Sequence, residues 1–239
     1  MLEKIRQIHQ RSRQAYGSPR IHRRLKEQGQ DVGKNRVARL MKEYGIKGRV
    51  ITVTRRAPGL RQFQQAGMNL RLNEPRPKSC NEQWVADLTY IKVGKQYQYL
   101  ITIMDVYSRR ILGWSLTNNR TAETVLTLLR RVISKRRPDP GLIFHTDRGI
   151  EFMAYAVQKE LRKHGLRRSY NRLGYCTDNA HMESFYHSLK GELIRGRGFT
   201  TVEQLRASLS SYIDGFYNRT RLHSGIGYTS PISYESKAA

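Results

Sequence analysis

Three acidic residues occur where the surrounding sequence does not favour acids. Asp87 lies within the apolar segment WVADLTYI, Asp147 follows the apolar segment LIFHT, and Glu183 begins a segment whose apolar residues have helical spacing. Strand interiors disfavour Asp, and a buried carboxylate without a partner is costly. Taken singly, each acid also has an ordinary explanation. These are an Asp facing solvent on an edge strand, a turn residue, and a surface Glu that complements a helix dipole.

Taken together, the three acids predict a site for phosphoryl transfer. Thirty-five residues separate Asp147 from Glu183, and the acids belong to two predicted strands and one predicted helix. Carboxylates from separate elements can converge on two Mg²⁺ ions about 3.5–4 Å apart, which activate the attacking oxygen and stabilise the leaving oxygen. Mn²⁺ is expected to substitute for Mg²⁺.

The charge of the chain indicates a polyanionic partner. The 239 residues include 44 Lys and Arg against 19 Asp and Glu, which gives a net charge of +25 and a pI of about 10.5. Such a field on a protein without a membrane span most often indicates nucleic acid. The three acids would therefore form a small negative centre in a chain that attracts phosphates.

Several other classes of protein are disfavoured by the sequence. No run of apolar residues is long enough to span a membrane, and the first residues do not resemble a signal peptide. The two cysteines, Cys80 and Cys176, have no CxxC spacing, so neither a disulfide framework nor a zinc ribbon is expected. His145, Cys176 and His181 fit no usual zinc pattern. We therefore predict a cytoplasmic protein.

The first third of the chain predicts a small helical domain. Ser18 and Pro19 are typical of a helix start, with Ser18 as N-cap, and a second short helix begins near Gly33 and ends at Gly45. Two short helices joined by a turn, with exposed basic residues, favour a DNA-binding helix-turn-helix over a merely solvated basic pair. The candidate DNA contacts are Arg23, Arg24, Lys34, Arg36 and Arg39.

The remainder predicts an α/β fold with a mixed sheet flanked by helices. Three strands with short connections are followed by alternating helices and strands, in the order βββαβαβαα. Thr121 is expected to cap the first of these helices, and one helix is expected near 151–164. Most Tyr residues fall at strand positions and are expected in the core. We predict a helix-turn-helix domain over 1–54, a Pro- and Gly-containing linker over 55–80, and a catalytic core over 81–239 that ends in a helical tail.

Three segments that contain the acids resemble a known family. WVADLTYI, FHTDRGIEF and DNAHMESFYHSLKGEL resemble the catalytic core of DDE transposases and integrases, in particular OrfB-type transposases of the bacterial insertion-sequence-three family. YGSPRIHRRLKEQG and KNRVARLMKEYGIKG are similar to its helix-turn-helix, and YNRTRLHSGIGYTSP is similar to its tail. The resemblance implies a ribonuclease H-like fold and assigns Asp87, Asp147 and Glu183 as catalytic metal ligands.

The resemblance also suggests residues around the site. Lys190 lies seven residues after Glu183 and matches a basic residue that the family associates with the DNA end. His187 shares that helix face and is either a surface residue or a DNA contact. Arg148 is either a phosphate contact or a structural partner of the neighbouring acid. Asp178 or Asn179 is expected to cap the helix, and Asp105 is expected in turn chemistry.

The predicted function is transposition. The resemblance implies cleavage at the ends of an insertion element and transfer of the freed 3′-hydroxyl to a target DNA. It also implies terminal inverted repeats as substrate, a homo-oligomer on DNA and an OrfA partner or fusion, in association with the bacterial nucleoid. Two alternatives remain open: a nuclease that only hydrolyses, and a truncated or partner-dependent DNA-binding protein that regulates transposition without catalysis.

Overall fold

The computed structural model describes residues 1–49, 67–173 and 175–238. The predicted end of the helix-turn-helix domain at 54 and the linker residues 55–66 lie outside this part of the chain. Residues 67–80 are described, and they contact the core: the backbone N–H of Leu70 donates to Ser169 Oγ at 3.0 Å, and that of Tyr170 donates to the carbonyl of Met68 at 3.2 Å. The predicted domain boundaries stay predictions.

Three short helices form the N-terminal region: α1 (Leu2–Arg11), α2 (Ser18–Glu27) and α3 (Lys34–Glu43). Their buried residues are spaced at helical intervals, as Ile21 and Leu25 are on α2. The prediction that Ser18 is an N-cap is wrong by one residue, because Gly17 has extended backbone and its carbonyl accepts the first helical bond, from Ile21. Proline near the first helical position starts the helix as expected.

A five-stranded mixed sheet forms the centre of the region that follows the N-terminal helices. Its strands lie in the order β3-β2-β1-β4-β5, and the first three are antiparallel neighbours. β4 pairs in parallel with both β1 and β5. Strand β1, which contains Asp87, is therefore the central strand, and this excludes an edge position for that acid. The strands are β1 (Gln83–Val93), β2 (Gln96–Asp105), β3 (Ile111–Thr117), β4 (Ile143–Thr146) and β5 (Arg167–Tyr170).

Helices cover both faces of the sheet, as the alternation of residues in β1 predicts. Trp84 and Ala86 point into a core that includes Leu128 and Phe152, whereas Val85 packs into a second core on the opposite face. Thr121 caps α4 as predicted, since its side chain accepts a bond from the N–H of Thr124. The helices are α4 (Ala122–Arg136), α5 (Ile150–Met153), α6 (Tyr155–Lys163), α7 (Ala180–Leu189), α8 (Val202–Ser210) and α9 (Pro231–Ala238).

The predicted single helix over 151–164 is wrong, because the chain forms two helices there. Ala154 has extended backbone between α5 and α6, and the side chain of Gln158 donates to the freed carbonyl of Met153 at 2.6 Å. Helices α7 and α8 each continue as a π-helical segment, over Lys190–Ile194 and Ser211–Tyr217. Within the described residues, no helix combines the length and apolar character that crossing a bilayer requires.

The N-terminal helices pack against the C-terminal tail. Tyr16 accepts a hydrogen bond from the N–H of Leu222 at 2.8 Å, and Arg20 donates to the carbonyl of Leu222 at 3.0 Å. Arg24 donates to the carbonyl of Thr220 at 2.9 Å. Ile21 and Leu25 also share one apolar core with residues of α7 and α8. The N-terminal helices and the region that contains the sheet are therefore joined by contacts between residues far apart in sequence.

A buried ion pair lies beneath this junction. Arg221 donates to Glu192 at 2.7 Å, and both side chains are almost completely buried. Tyr212 donates to the same carboxylate at 2.8 Å, and Arg221 also donates to Ser188 at 3.1 Å. Because Glu192 belongs to the π-helical segment that follows α7, this network holds the tail against the end of that helix.

We expect Glu192→Gln to lower the free energy of unfolding by about 3–5 kcal/mol, because Arg221 would keep a buried charge without its counterion. Urea denaturation followed by circular dichroism measures this change. Asp31→Asn removes an acid from the exposed pair with Lys26 and should leave the midpoint unchanged. Equal stabilities of the two variants would contradict the proposed importance of the network.

A buried histidine joins β4 to the strand beside it. His145 Nδ1 lies 2.8 Å from Ser169 Oγ, and Nε2 lies 2.7 Å from Asn171 Oδ1. Burial, and then the charge of Arg71, lower the pKa of His145 to about 4. Both of its ring nitrogens are engaged in hydrogen bonds. The side chain of Cys176, considered with His145 as a zinc candidate, lies outside the described residues.

We expect the folded protein to lose stability as the pH falls from about 6.5 to about 4. The unfolded chain takes up a proton at His145 near its usual pKa, whereas the folded chain does so only near pH 4. The loss should approach about 3 kcal/mol. Denaturation midpoints measured across this range should fall less steeply for His145→Gln, and identical slopes for the two proteins would refute the assignment.

Candidate active site

The pairing of β1 with β4 places two of the predicted acids beside each other. Ala86 pairs with Thr146 in the parallel register, so Asp87 and Asp147 are the next residues along the two adjacent strands. Asp87 lies on the same face of β1 as Val85, which packs towards α7. Both acids are half-buried. The sheet therefore brings together two carboxylates that are far apart in sequence.

Helix α7 brings the third acid to the same end of the sheet. The side-chain N–H of Asn179 donates to the carbonyl of Ala86 at 3.1 Å, and the hydroxyl of Tyr186 donates to the carbonyl of Asp87 at 2.7 Å. Asn179 precedes Glu183 by four residues and Tyr186 follows it by three, so all three share one helix face. The two bonds therefore anchor the helix to β1 on either side of Glu183, whose own side chain is exposed.

The electrostatics of the site agree with a position of Asp147 and Glu183 near Asp87. Burial raises the pKa of Asp87 well above its usual value, and the charges of Asp147 and Glu183 raise it further. The hydrogen bond from the backbone N–H of Leu88 and the charge of Lys190 lower this pKa and so offset part of the increase. Burial also raises the pKa of Asp147, as does the charge of Glu151. The site therefore holds more negative charge than its protein surroundings neutralise.

The residues around the acids leave two oxygen atoms without a partner. Among the described side chains, the buried atoms with no hydrogen bond are Glu151 Oε2 and Asn179 Oδ1. The charge of Glu151 acts on Asp147, and Asn179 donates to the backbone carbonyl of Ala86, the residue before Asp87. Buried oxygens normally meet a donor or a cation. Carboxylate and amide oxygens are the ligands that Mg²⁺ and Mn²⁺ prefer, so the donor set fits such cations.

A second acidic cluster lies elsewhere and is already neutralised. Within the part of the chain that the structure describes, Cys80, Asp105 and Glu235 have donor atoms within 4.8 Å of one another. However, Glu235 pairs with Arg136 at 3.0 Å. Asp105 accepts a bond from the backbone N–H of Ser108 in the adjacent turn, as predicted, and another from the N–H of Asn81. Burial and the two acids raise the pKa of Cys80 to about 11, so its thiol keeps its proton at neutral pH. This cluster anchors α9 to the sheet.

The predicted basic residues near the site have different surroundings. Lys190 is exposed, with Nζ 5.5 Å from the centroid of the Tyr90 ring, and its charge acts on Asp87. His187 is half-buried on the same helix. Arg148 donates from Nε to the carbonyl of Asn171 at 2.7 Å, which favours a structural role over a phosphate contact.

The predicted basic residues of the N-terminal helices also differ in their contacts. Lys34, Arg36 and Arg39 lie exposed on α3, the second helix of the helix-turn-helix. Arg23 and Arg24 both pair with Glu27 on their own helix. Because Arg24 also donates to the tail, the basic residues of α3 are more accessible to a DNA partner than those of α2.

Asn179 is the N-cap residue of α7, as one of the two expected candidates, but its side chain makes no capping bond and donates to β1 instead. Asp178 pairs with Arg172. The pair with Arg172 lowers the pKa of Asp178 to about 2. Tyr90 is not in the core: it is 52% exposed and stands beside Lys190.

Sequence reasoning also missed two charged residues close to the acids. Glu151 lies four residues after Asp147, within the segment FHTDRGIEF, but nothing in its spacing indicates that it is buried. The charge of Arg120 opposes the raised pKa of Asp147, although Arg120 lies in a loop distant in sequence. The burial of Glu151 and the effect of Arg120 on Asp147 both depend on how the chain folds around these residues.

Comparisons with known proteins agree with this architecture. An HTH-like domain model matches residues 1–55, and two integrase core domain models match residues 77–176 and 183–238. Among solved structures, the simian T-cell lymphotropic virus intasome in complex with a PP2A regulatory subunit has a TM-score of 0.56 at 13% identity, over 96% of this chain and 73% of that chain. The HTLV-2 integrase catalytic core in complex with magnesium has a TM-score of 0.50 at 16% identity, over 67% of this chain and 99% of that chain. These structures show an integrase-like fold.

Some relatives share a larger fraction of identical residues with this chain than these solved structures do. The transposase InsF for insertion sequence IS3A of Escherichia coli K12 is 35% identical over 231 residues, which cover 95% of this chain and 79% of the relative. The insertion element IS600 31 kDa protein of Shigella sonnei is 35% identical over 233 residues, which cover 98% of this chain and 86% of the relative. On this identity and coverage, the chain belongs to the IS3-family InsF transposases.

Proposed function

We propose that the chain cleaves DNA at the ends of an insertion element and joins the freed ends to target DNA. The observation that carries the proposal is the position of Asp87 on β1 next to Asp147, which directly follows the parallel strand β4. Helix α7, which carries Glu183, is bonded to β1 at the same place by Asn179 and Tyr186. In cleavage, water attacks a phosphodiester and releases a 3′-hydroxyl and a 5′-phosphate. In joining, that hydroxyl attacks a second phosphodiester and displaces another 3′-hydroxyl.

The three carboxylates are the proposed ligands of two Mg²⁺ ions. Bound there, the ions would activate the attacking oxygen and stabilise the leaving oxygen. The raised pKa of Asp87 and of Asp147 favours the same interpretation, since a cation would offset the crowded negative charge.

The surrounding residues would position the DNA rather than form a covalent bond to it. Lys190 lies beside Asp87 and above the exposed ring of Tyr90, so a terminal phosphate next to the acids would meet a cation there. His187, one turn closer to Glu183, could contact the same strand. The nucleophile in each step is water or a DNA hydroxyl, and no side chain needs to act in its place.

We propose that the N-terminal helices bind the terminal inverted repeats. Lys34, Arg36 and Arg39 are exposed on the helix that a helix-turn-helix places in the major groove. Joining requires two element ends held together, so we propose a homo-oligomer on DNA. An OrfA partner or fusion is proposed on family analogy.

Asp147→Asn should lower strand transfer at least about a hundredfold, because the amide removes a charged ligand but keeps the shape of the side chain. Joining products on end-containing DNA with Mg²⁺ are the readout, and DNA binding by the same variant should remain. Asp139→Asn changes an exposed acid in a loop and serves as the matched control.

Each outcome of that assay separates the proposal from its alternatives. Equal joining by Asp147→Asn and wild type would overturn the assigned mechanism. Cleavage without joining would indicate a nuclease. DNA binding with neither reaction, also after addition of an OrfA protein, would indicate a regulator without catalysis.

Replacing Lys34, Arg36 and Arg39 by Ala should weaken binding to end-containing DNA and make it less sensitive to salt. Each lost phosphate contact should reduce the slope of log K against log[salt] by about 0.9. Fluorescence anisotropy at several salt concentrations measures both effects. The matched control replaces Lys159, Arg162 and Lys163, which are exposed on α6 on the other face of the sheet. Equal slopes for the two triple variants would exclude α3 as the DNA-binding helix.

A further inference from the structure

One buried carboxylate beside the proposed catalytic acids has no role in the account above. Glu151 lies on α5 and is only 5% exposed, and its Oε2 atom is buried without a hydrogen-bond partner. The other two glutamates in the buried set are compensated. Glu160 pairs with Arg130 at 2.9 Å, and Glu192 pairs with Arg221 at 2.7 Å.

The backbone at Gly149 brings the Glu151 carboxylate towards Asp147. A Cβ atom built on Gly149 would lie 3.0 Å from Asp147 Oδ1 and 3.1 Å from both Cδ and Oε1 of Glu151. The two carboxyl groups therefore approach the same small volume, which the missing side chain of Gly149 leaves open. The backbone N–H of Gly149 donates to Asp147 Oδ1 at 3.0 Å and so fixes the orientation of that acid.

The unpaired oxygen is unfavourable for the chain by itself. Burying a carboxylate without a donor costs free energy, and a second carboxylate nearby increases the cost through repulsion. None of the ion pairs formed between described residues includes Glu151 or Asp147. A bound cation would offset both costs at once, because it would attract the two carboxylates together.

We propose that Glu151 is a fourth carboxylate of the metal centre and supplies an oxygen to the cation held by Asp147. This inference rests on the proposed function, since it concerns the same centre. It extends the donor set from three acids to four and assigns the extra ligand to α5. The absence of a side chain at Gly149 is necessary for this arrangement, because a Cβ atom there would separate the two carboxylates.

The decisive experiment measures Mn²⁺ binding to the full chain without DNA, from the electron paramagnetic resonance signal of free Mn²⁺. Glu151→Gln keeps the size of the side chain and removes its charge, and we expect it to weaken Mn²⁺ binding about tenfold or more. Asp147→Asn reports on the centre itself and should also weaken binding. Glu160→Gln makes the same change at a buried glutamate paired with Arg130 and should bind Mn²⁺ like wild type.

Thermal unfolding separates a ligand from a merely structural residue. Without metal, Glu151→Gln should unfold at the same or a higher temperature than wild type, because the variant lacks an unpaired buried charge. With Mn²⁺, it should gain less stability than wild type. A structural role would instead lower the unfolding temperature without metal and leave the gain from Mn²⁺ unchanged.

The outcomes distinguish this inference from the proposed function. Unchanged Mn²⁺ affinity in Glu151→Gln, together with weakened binding in Asp147→Asn, would overturn the role of Glu151 and leave the three-acid centre in place. Unchanged affinity in both variants would overturn the metal centre as well. Equal weakening by Glu160→Gln would show a general effect of removing buried acids and would also overturn the assignment.

Discussion

Negative charge is crowded beside the middle of a central strand, and the backbone around it is fixed accordingly. Asp87 lies between Asp147, which directly follows β4, and a helix that carries Glu183. Repulsion alone would separate these groups. They are held together because their backbones are fixed: β1 and β4 by the sheet ladder, and α7 by the bonds from Asn179 and Tyr186 to the carbonyls of β1.

The acids outside this centre show how the same chain neutralises buried charge. Glu192 meets Arg221, Glu160 meets Arg130, Asp178 meets Arg172, and Glu235 meets Arg136. With 44 basic residues available, an arginine is easily found for an acid that has a structural role. In the ion pairs of the described residues, Asp87, Asp147 and Glu183 have no such partner. The proposed function uses this contrast: the paired acids stabilise the fold, and the three acids of the centre would leave their charge for a cation.

Local patterns predicted much of the fold, and contacts between distant segments account for what they missed. Alternation in β1 indicated its two buried faces, and Thr121 indicated the start of α4. The break at Ala154 was not predictable, because neither Gly nor Pro marks it and a side chain from the next turn satisfies the freed carbonyl. The three acids were predictable from their context and spacing. The burial of Glu151 and the anchoring role of Asn179 were not, since both depend on how the loop after β4 and helix α7 meet β1.

The junction between the N-terminal helices and the tail has a geometric consequence. Tyr16, Arg20 and Arg24 bind backbone atoms of the tail, and the tail is in turn held by the buried pair of Arg221 and Glu192. If the N-terminal helices bind the element end as proposed, their distance from the acids cannot change without breaking these contacts. The protein would then fix the number of base pairs between the bound sequence and the bond that is cleaved.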